Sequence, residues 1–337
     1  MTPLIFGLDS FKLSKNERSF LKEADPAGII LFTRNVDNPD QVQGLTDSVR
    51  DALGRDLLVL IDQEGGRVQR LNPPHWRQAP AMAFFGKVFE KNPEVVERAL
   101  YLNCQLIGLE LAVLGINVDC LPVLDVPVTD ADEVIGDRAL SNDPGIIGHL
   151  GAIAANGIRS AGVLGVMKHI PGHGRANVDS HKALPIVDTP LSELEATDFL
   201  PFEALKACPF AMTAHVIYAA VDPEHPATLS KTVIQSVIRG KIGFEGLLIS
   251  DDLTMKALKG DMTTLTEKCL AAGIDLVLHC SANMNEMEAV LKGAPSMPED
   301  KKTGLMELLE HCQPLPGLEY QEGLMEYEEL EQKLKSL

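Results

Sequence analysis

Cysteines are few, and none is spaced to pair. Six lie in 337 residues, at Cys104, Cys120, Cys208, Cys269, Cys280 and Cys312, with no CxxC among them. That excludes a disulfide frame and a cysteine-based zinc site, and points to reduced core thiols of a cytoplasmic protein. Positive charge is also short: 30 Lys and Arg stand against 48 Asp and Glu, a net charge of −18. A nucleic-acid partner, which needs a basic footprint, is not expected. No apolar run reaches the roughly 18 residues that cross a bilayer, so no membrane partner is expected either. The opening MTPLIFGLDSF has no basic start and its apolar run stops at Asp9, which reads as a first β-strand, not a signal peptide. Neither GxGxxG nor GxxxxGK[ST] follows any candidate strand; Gln63–Arg67 carries GGR but matches neither fingerprint, so no nucleotide cofactor is called for.

What remains is a well-filled globular chain, 45% hydrophobic and 23% charged, long enough to bury roughly 75% of its unfolded surface. Apolar runs at Leu4–Leu8, Gly28–Phe32, Leu57–Ile61, Ile116–Leu124, Val163–His169, Phe210–Val216, Leu247–Ser250 and Leu276–His279 read as strands buried on both faces. Between them, Pro39–Leu53, Glu94–Leu114, Pro144–Ser160, Leu191–Lys206, Lys231–Arg239 and Leu265–Ala272 have helical periodicity. Eight β runs with crossovers predict an α/β chain folded as a single (β/α)8 TIM-type barrel, one catalytic domain over residues 1–337. A long loop, about Gln63 to Asn92, follows the third strand. The tail, about residues 295–337, reads as additional C-terminal helices packed on the barrel's outside, the last with an acidic solvated face.

Barrel enzymes draw their working groups from the carboxyl ends of the strands. Here those ends carry Asp9, Arg34, Asp62-Gln63-Glu64, Asp119, Asp125, Lys168-His169, His215, Asp251-Asp252 and His279. The most crowded stretch is VMKHIPGHGRANVDSHKALP, Val166 to Pro185. Two uses are open for its histidines: a metal site, or an acid/base pair. Pro171-Gly172 removes the helical geometry that a two-histidine metal motif needs, which favours the second and predicts no metal. Asp179, two residues before His181, can orient the ring and favour its protonated form, as suits a group that gives and recovers a proton near neutrality. In ISDDLTM the two adjacent carboxylates cannot point the same way, so one should face the pocket and the other cap the next helix or pair with a neighbour. IDQEGGRVQRL and VIGDRALSNDP each pair Asp with Arg in a loop, a combination suited to a polyhydroxylated, possibly acidic ligand.

Five stretches in this order, IDQEGGRVQRL, GDRALSNDP, KHIPGHGRANVDSH, PATLSKTVI and GFEGLLISDDLTM, resemble the glycoside hydrolase family 3 β-N-acetylhexosaminidases. Within that family the chain is most similar to the single-domain bacterial enzymes of peptidoglycan recycling. The resemblance implies a retaining enzyme that releases terminal β-linked GlcNAc from muropeptides through a glycosyl-aspartate. It implies Asp251 as nucleophile, His181 as acid/base with Asp179 as its partner, and Asp62, Arg70, Arg138, Lys168 and His169 as sugar-binding positions. No cofactor is implied, and the partner is a small carbohydrate, a muropeptide or another GlcNAc glycoside, met by a monomer in the cytoplasm. A phosphorylase on the same scaffold is the alternative, and a metal-dependent hydrolase a more distant one. Arg175-Ala176 departs from the Asp-Thr that many relatives place after GHG.

Overall fold

The computed structural model describes residues 1–129, 131–313, 315 and 319–337. Eight parallel strands form its centre: β1 (Thr2–Gly7), β2 (Pro26–Leu31), β3 (Leu58–Ile61), β4 (Val118–Asp119), β5 (Leu164–Ile170), β7 (Phe210–Thr213), β9 (Leu247–Ile249) and β10 (Val277–His279); β6 (Ile186–Val187) and β8 (Ile217–Tyr218) pair apart from them. Neighbours run β10-β1-β2-β3-β4-β5-β7-β9, and a parallel bridge from Ile249 to Leu276 joins the two ends. The sheet is therefore a barrel. Around it lie α1 (Lys15–Ala24), α2 (Pro39–Leu53), α3 (Ala83–Val88), α4 (Pro93–Ala112), α5 (Pro144–Ser160), α6 (Leu191–Ala196), α7 (Leu200–Ala204), α8 (Met262–Ala272), α9 (Met284–Gly293), α10 (Glu299–Glu310) and α11 (Tyr320–Lys335). None of the described helices is long and apolar enough to cross a membrane.

Strand alternation divides the core in two. Leu58, Leu60, Leu164, Val166, Phe210 and Ile249 fill the lumen, while Val59, Ile61, Met167, Ala211 and Leu248 pack under the helices. A period of two then carries Asp62, Lys168 and Asp251 to the lumen's open end, each two residues past an inward apolar side chain. Helix starts are written locally. Asn38, Asp143 and Asp261 cap α2, α5 and α8 with their side chains, and Pro opens α2, α4 and α5.

Several expectations shift. The fourth strand, expected over Ile116–Leu124, is only Val118–Asp119, because Pro122 has no N–H to give the ladder. The helix expected over Leu191–Lys206 breaks between α6 and α7. Val233–Lys241 is wound as a π-helix. The long third loop carries α3 within it, and α1 begins at a capping box, Ser14 with Glu17, that the strand-and-helix reading passed over. The tail is not all on the outside. Leu305 and Leu309 of α10, with Met297, join the lumen residues Ile5, Ala27 and Leu58 and close the amino-terminal mouth. Only α11 lies outside, against α4, through Tyr327 and Leu334; part of the segment between these two helices falls outside the described residues.

Candidate active site

At the carboxyl ends of the strands is a cavity of about 180 Å³ lined by Ile30, Phe32, Asp62, Glu64, Val68, Arg70, Arg138, Lys168, His169, His181, Met212, Asp251, Asp252, Met255, Leu278 and Cys280. Larger hollows of about 370 and 520 Å³ open around Ala207–Pro209. Of their charged residues, Arg159, Lys206, Glu245 and Asp300 are exposed and Lys301 is half-buried, so size does not choose the site; convergence of buried charge does.

A chain of ion pairs crosses one wall. Arg70 donates to Asp62 at 2.9 Å, Lys168 lies 2.8 Å from Asp62 and 2.7 Å from Glu64, and Arg138 forks onto Glu64 at 2.8 and 2.9 Å. Burial alone would push the Asp62 and Glu64 carboxyls up. Lys168 outweighs it, with Arg70 on Asp62 and Arg138 on Glu64, and both carboxyls stay below their ordinary range. Burial pulls the Lys168 ammonium down, but the two carboxylates hold it above its usual value. Asp62, Glu64 and Lys168 thus stay ionised at neutral pH. Such a wall offers fixed donors and acceptors to hydroxyls that a buried neutral wall could not.

His169 follows Lys168 where the β5–β7 register shifts. Its Nδ1 lies 2.7 Å from Asp125, whose other oxygen accepts the backbone N–H groups of His169 and His173 at 3.2 and 2.6 Å. Against the upward push of burial, His169 draws the Asp125 carboxyl down to about 2. A carboxylate there fixes the proton on Nδ1 and leaves Nε2 as the ring atom available to a ligand.

The paired carboxylates of ISDDLTM divide as their alternation requires. Asp251 lines the cavity, and its carboxyl sits below the ordinary range because His215 and His169 outweigh its burial. Asp252 accepts from Thr254 N, Thr254 Oγ1 and Cys280 N at 3.0, 2.5 and 3.0 Å, and so locks the turn. His215 fixes the same turn from behind: Nε2 donates to the Asp252 carbonyl at 3.0 Å, while Nδ1 meets the Thr228 hydroxyl at 2.7 Å. This gives Thr228 of PATLSKT its place.

Over the cavity hangs the loop from Pro171 to Pro185. His181 is 67% exposed, and Asp179 accepts both its ring Nδ1 and its backbone N–H at 2.9 Å. His173 is buried, its Nε2 3.0 Å from the Ser180 hydroxyl. The ring nitrogens of the three histidines meet different side chains, although Asp125 serves the backbone of two, and among the described residues no group of three or more His, Cys, Asp or Glu is placed to hold a metal ion.

The eight site residues named from the sequence fall here in different ways. Asp251, His181, Asp62, Arg70, Arg138, Lys168 and His169 line the cavity together, and Asp179 stands behind His181. Of the other strand ends, Asp119 is turned outward to accept the Gln63 N–H, Arg34 donates to the carbonyls of Leu8 and Cys280, and His279 is buried against Glu286. Glu64 and Asp125, strand-end residues to which the sequence assigns no role, prove to be members of the site. Glu64 could have been drawn out by its place two residues past Asp62; nothing local marks Asp125 as the partner of His169.

Residues 5–302 match the glycosyl hydrolase family 3 N terminal domain. The chain is 38% identical over 318 residues to a beta-hexosaminidase of Alkalilimnicola ehrlichii, covering 93% of this chain and 89% of that protein. The crystal structure of NagZ from Neisseria gonorrhoeae with N-trifluoroacetyl-D-glucosamine superimposes with a TM-score of 0.88 at 30% identity, over 97% of each chain. A family 3 β-N-acetylglucosaminidase from Paenibacillus sp. gives 0.76 at 29% identity, over 98% of this chain and 61% of that one. With this barrel and these matches along almost its whole length, the chain belongs to glycosyl hydrolase family 3 and is a β-N-acetylhexosaminidase.

Proposed function

We propose that the enzyme is a retaining exo-β-N-acetylglucosaminidase that removes a terminal β-linked GlcNAc from peptidoglycan fragments, with Asp251 as nucleophile and the His181–Asp179 pair as acid/base. The observation that carries this reading is the placing of two unlike reagents on one small cavity: a half-buried carboxylate held below its ordinary range, and an exposed, carboxylate-oriented imidazole on a loop. In the first step Asp251 Oδ attacks C1 as the bond from C1 to the aglycone oxygen breaks, and His181 Nε2–H gives its proton to that oxygen. In the second, neutral Nε2 takes a proton from water, the hydroxide oxygen bonds C1, and Asp251 leaves as carboxylate. Two displacements restore the β configuration.

Lys168, Arg138, Arg70, His169 and Asp62 would grip the ring hydroxyls before attack, which is where positioned groups lower the barrier. A cavity of about 180 Å³ supports one sugar ring at the buried end and an aglycone outside. The gonococcal relative's complex with an N-acylated glucosamine supports the choice of sugar. We place the enzyme in the cytoplasm, a reading its six free thiols support, and take it to act as a monomer. A fluorinated GlcNAc donor that reacts fast and is released slowly should add one sugar mass to the wild-type enzyme, on the peptide carrying Asp251. Asp251→Ala should take up no label and turn over aryl N-acetylglucosaminides at least about 1,000-fold more slowly. Near-normal turnover by that variant would remove Asp251 from the mechanism.

A further inference from the structure

At the break between α6 and α7, Thr197 leaves helical geometry (φ −133°, ψ −75°). Asp198 beside it is 1% exposed and receives Arg175 Nε at 2.7 Å. The same guanidinium meets Glu193 through Nη1 at 2.9 Å and donates to Thr197 Oγ1 through Nη2 at 3.1 Å. All three partners belong to that one corner, whereas Arg175 belongs to the loop that carries His181. A planar fork engaged at three nitrogens fixes orientation as well as distance.

The stem of the loop is held from other sides too. The Tyr218 hydroxyl donates to the Gly172 carbonyl at 2.5 Å. Gly174 lies so close to the barrel that a Cβ would sit 2.0 Å from the Val126 carbonyl oxygen. Past Arg175 the fastenings thin: Asn177, His181, Lys182 and Ala183 are exposed, and Ser180 is held by His173 and the Ala257 N–H. The loop has a clamped stem and a looser tip, with Arg175 the last charged anchor six positions before His181.

We infer that Arg175, through its clamp on the α6–α7 corner, is a positioning residue that brings His181 to the leaving-group oxygen. The inference rests on the reading of His181 as acid/base. If it holds, loosening the clamp should hurt most where the aglycone needs a proton, and least where it departs unaided.

The test compares N-acetylglucosaminides of dinitrophenol, which leaves without a proton, and of methoxyphenol, which does not. Arg175→Ala would strand the buried Asp198, so the working variant is Arg175→Gln with Asp198→Asn, a neutral pair. Arg175→Lys, which keeps a cation at Asp198 but loses the fork, decides the matter should the neutral pair not fold. Expected is a fall of about tenfold or more in kcat/KM for the methoxyphenyl substrate, a part of the roughly 100-fold or greater effect of a whole acid/base group, with the dinitrophenyl substrate within about twofold. Arg175→Lys should show the same selective loss in smaller measure. An equal fall for both substrates, or none for either, overturns the inference. His181→Gln separates the two levels. Selective loss there but not in the Arg175 variants sinks the clamp alone, and no selective loss in His181→Gln sinks the acid/base reading beneath it.

Discussion

Lys168→Met tests whether the buried ion chain is a structural unit, whatever its part in binding. Lys168 is 2% exposed and joins Asp62 to Glu64, themselves 17% and 1% exposed. Breaking a buried pair ordinarily costs about 3–5 kcal/mol because a charge is left without its partner. Here Arg70 still holds Asp62 and Arg138 still holds Glu64, so the low end, about 3 kcal/mol, applies. For a chain of 337 residues, an unfolding entropy of about 2.1 cal/mol/K per residue gives roughly 0.7 kcal/mol/K, and the melting point should drop by about 4 °C. The pH dependence has a definite sign. Asp62 and Glu64 titrate below their unfolded values, so their contribution is complete above about pH 4 and is lost as pH falls through the depressed folded values. Without Lys168 the two carboxyls titrate higher, and protonation relieves the variant before it touches the wild type. Thermal melts at neutral pH and near pH 3, below the ordinary carboxyl values of about 4, should therefore show the gap narrowing in acid. A variant that melts within a degree of wild type at neutral pH, or a gap that ignores pH, would refute this account of the wall.

Three further outcomes follow from the same geometry. Asp125→Asn removes the carboxylate that orients His169 and ties two backbone N–H groups; kcat/KM should fall about 10- to 100-fold, since a misplacement near 1 Å costs up to the latter, while a circular-dichroism spectrum like wild type's shows the barrel intact. Against the upward push of its burial, Asp251 titrates below the ordinary carboxylate range, with His215, itself pulled down by burial, the first of the groups that hold it there. Its ionised form persists as pH falls to about 4, and the acid limb of kcat/KM should lie below that. His215→Ala should move the limb upward, and an unmoved limb would take His215 out of the account. Leu305→Ala, in the helix that closes the barrel's lower mouth, should cost about 2–5 kcal/mol, seen as a lower urea midpoint with KM unchanged.

The sequence by itself determined the barrel and most of the site. Eight apolar runs separated by helical patterns admit few arrangements, and local rules mark where the helices begin: Asn38, Asp143 and Asp261 as caps, Pro in the first turn. Strand alternation also settles which strand-end groups face inward, because Asp62, Lys168 and Asp251 each stand two positions past a lumen residue. That period is a local property of extended chain. The tertiary structure alone decided which charges meet. Glu64 with Lys168, Asp125 with His169, and Arg175 with Asp198 are pairs 104, 44 and 23 positions apart, and nothing in the stretch around one partner names the other. The broken helix at Thr197 and the turn of α10 into the barrel mouth belong to the same class. Helical periodicity says that a face will be buried; what it is buried against depends on the closing of the barrel, in which long-range packing outweighs local preference.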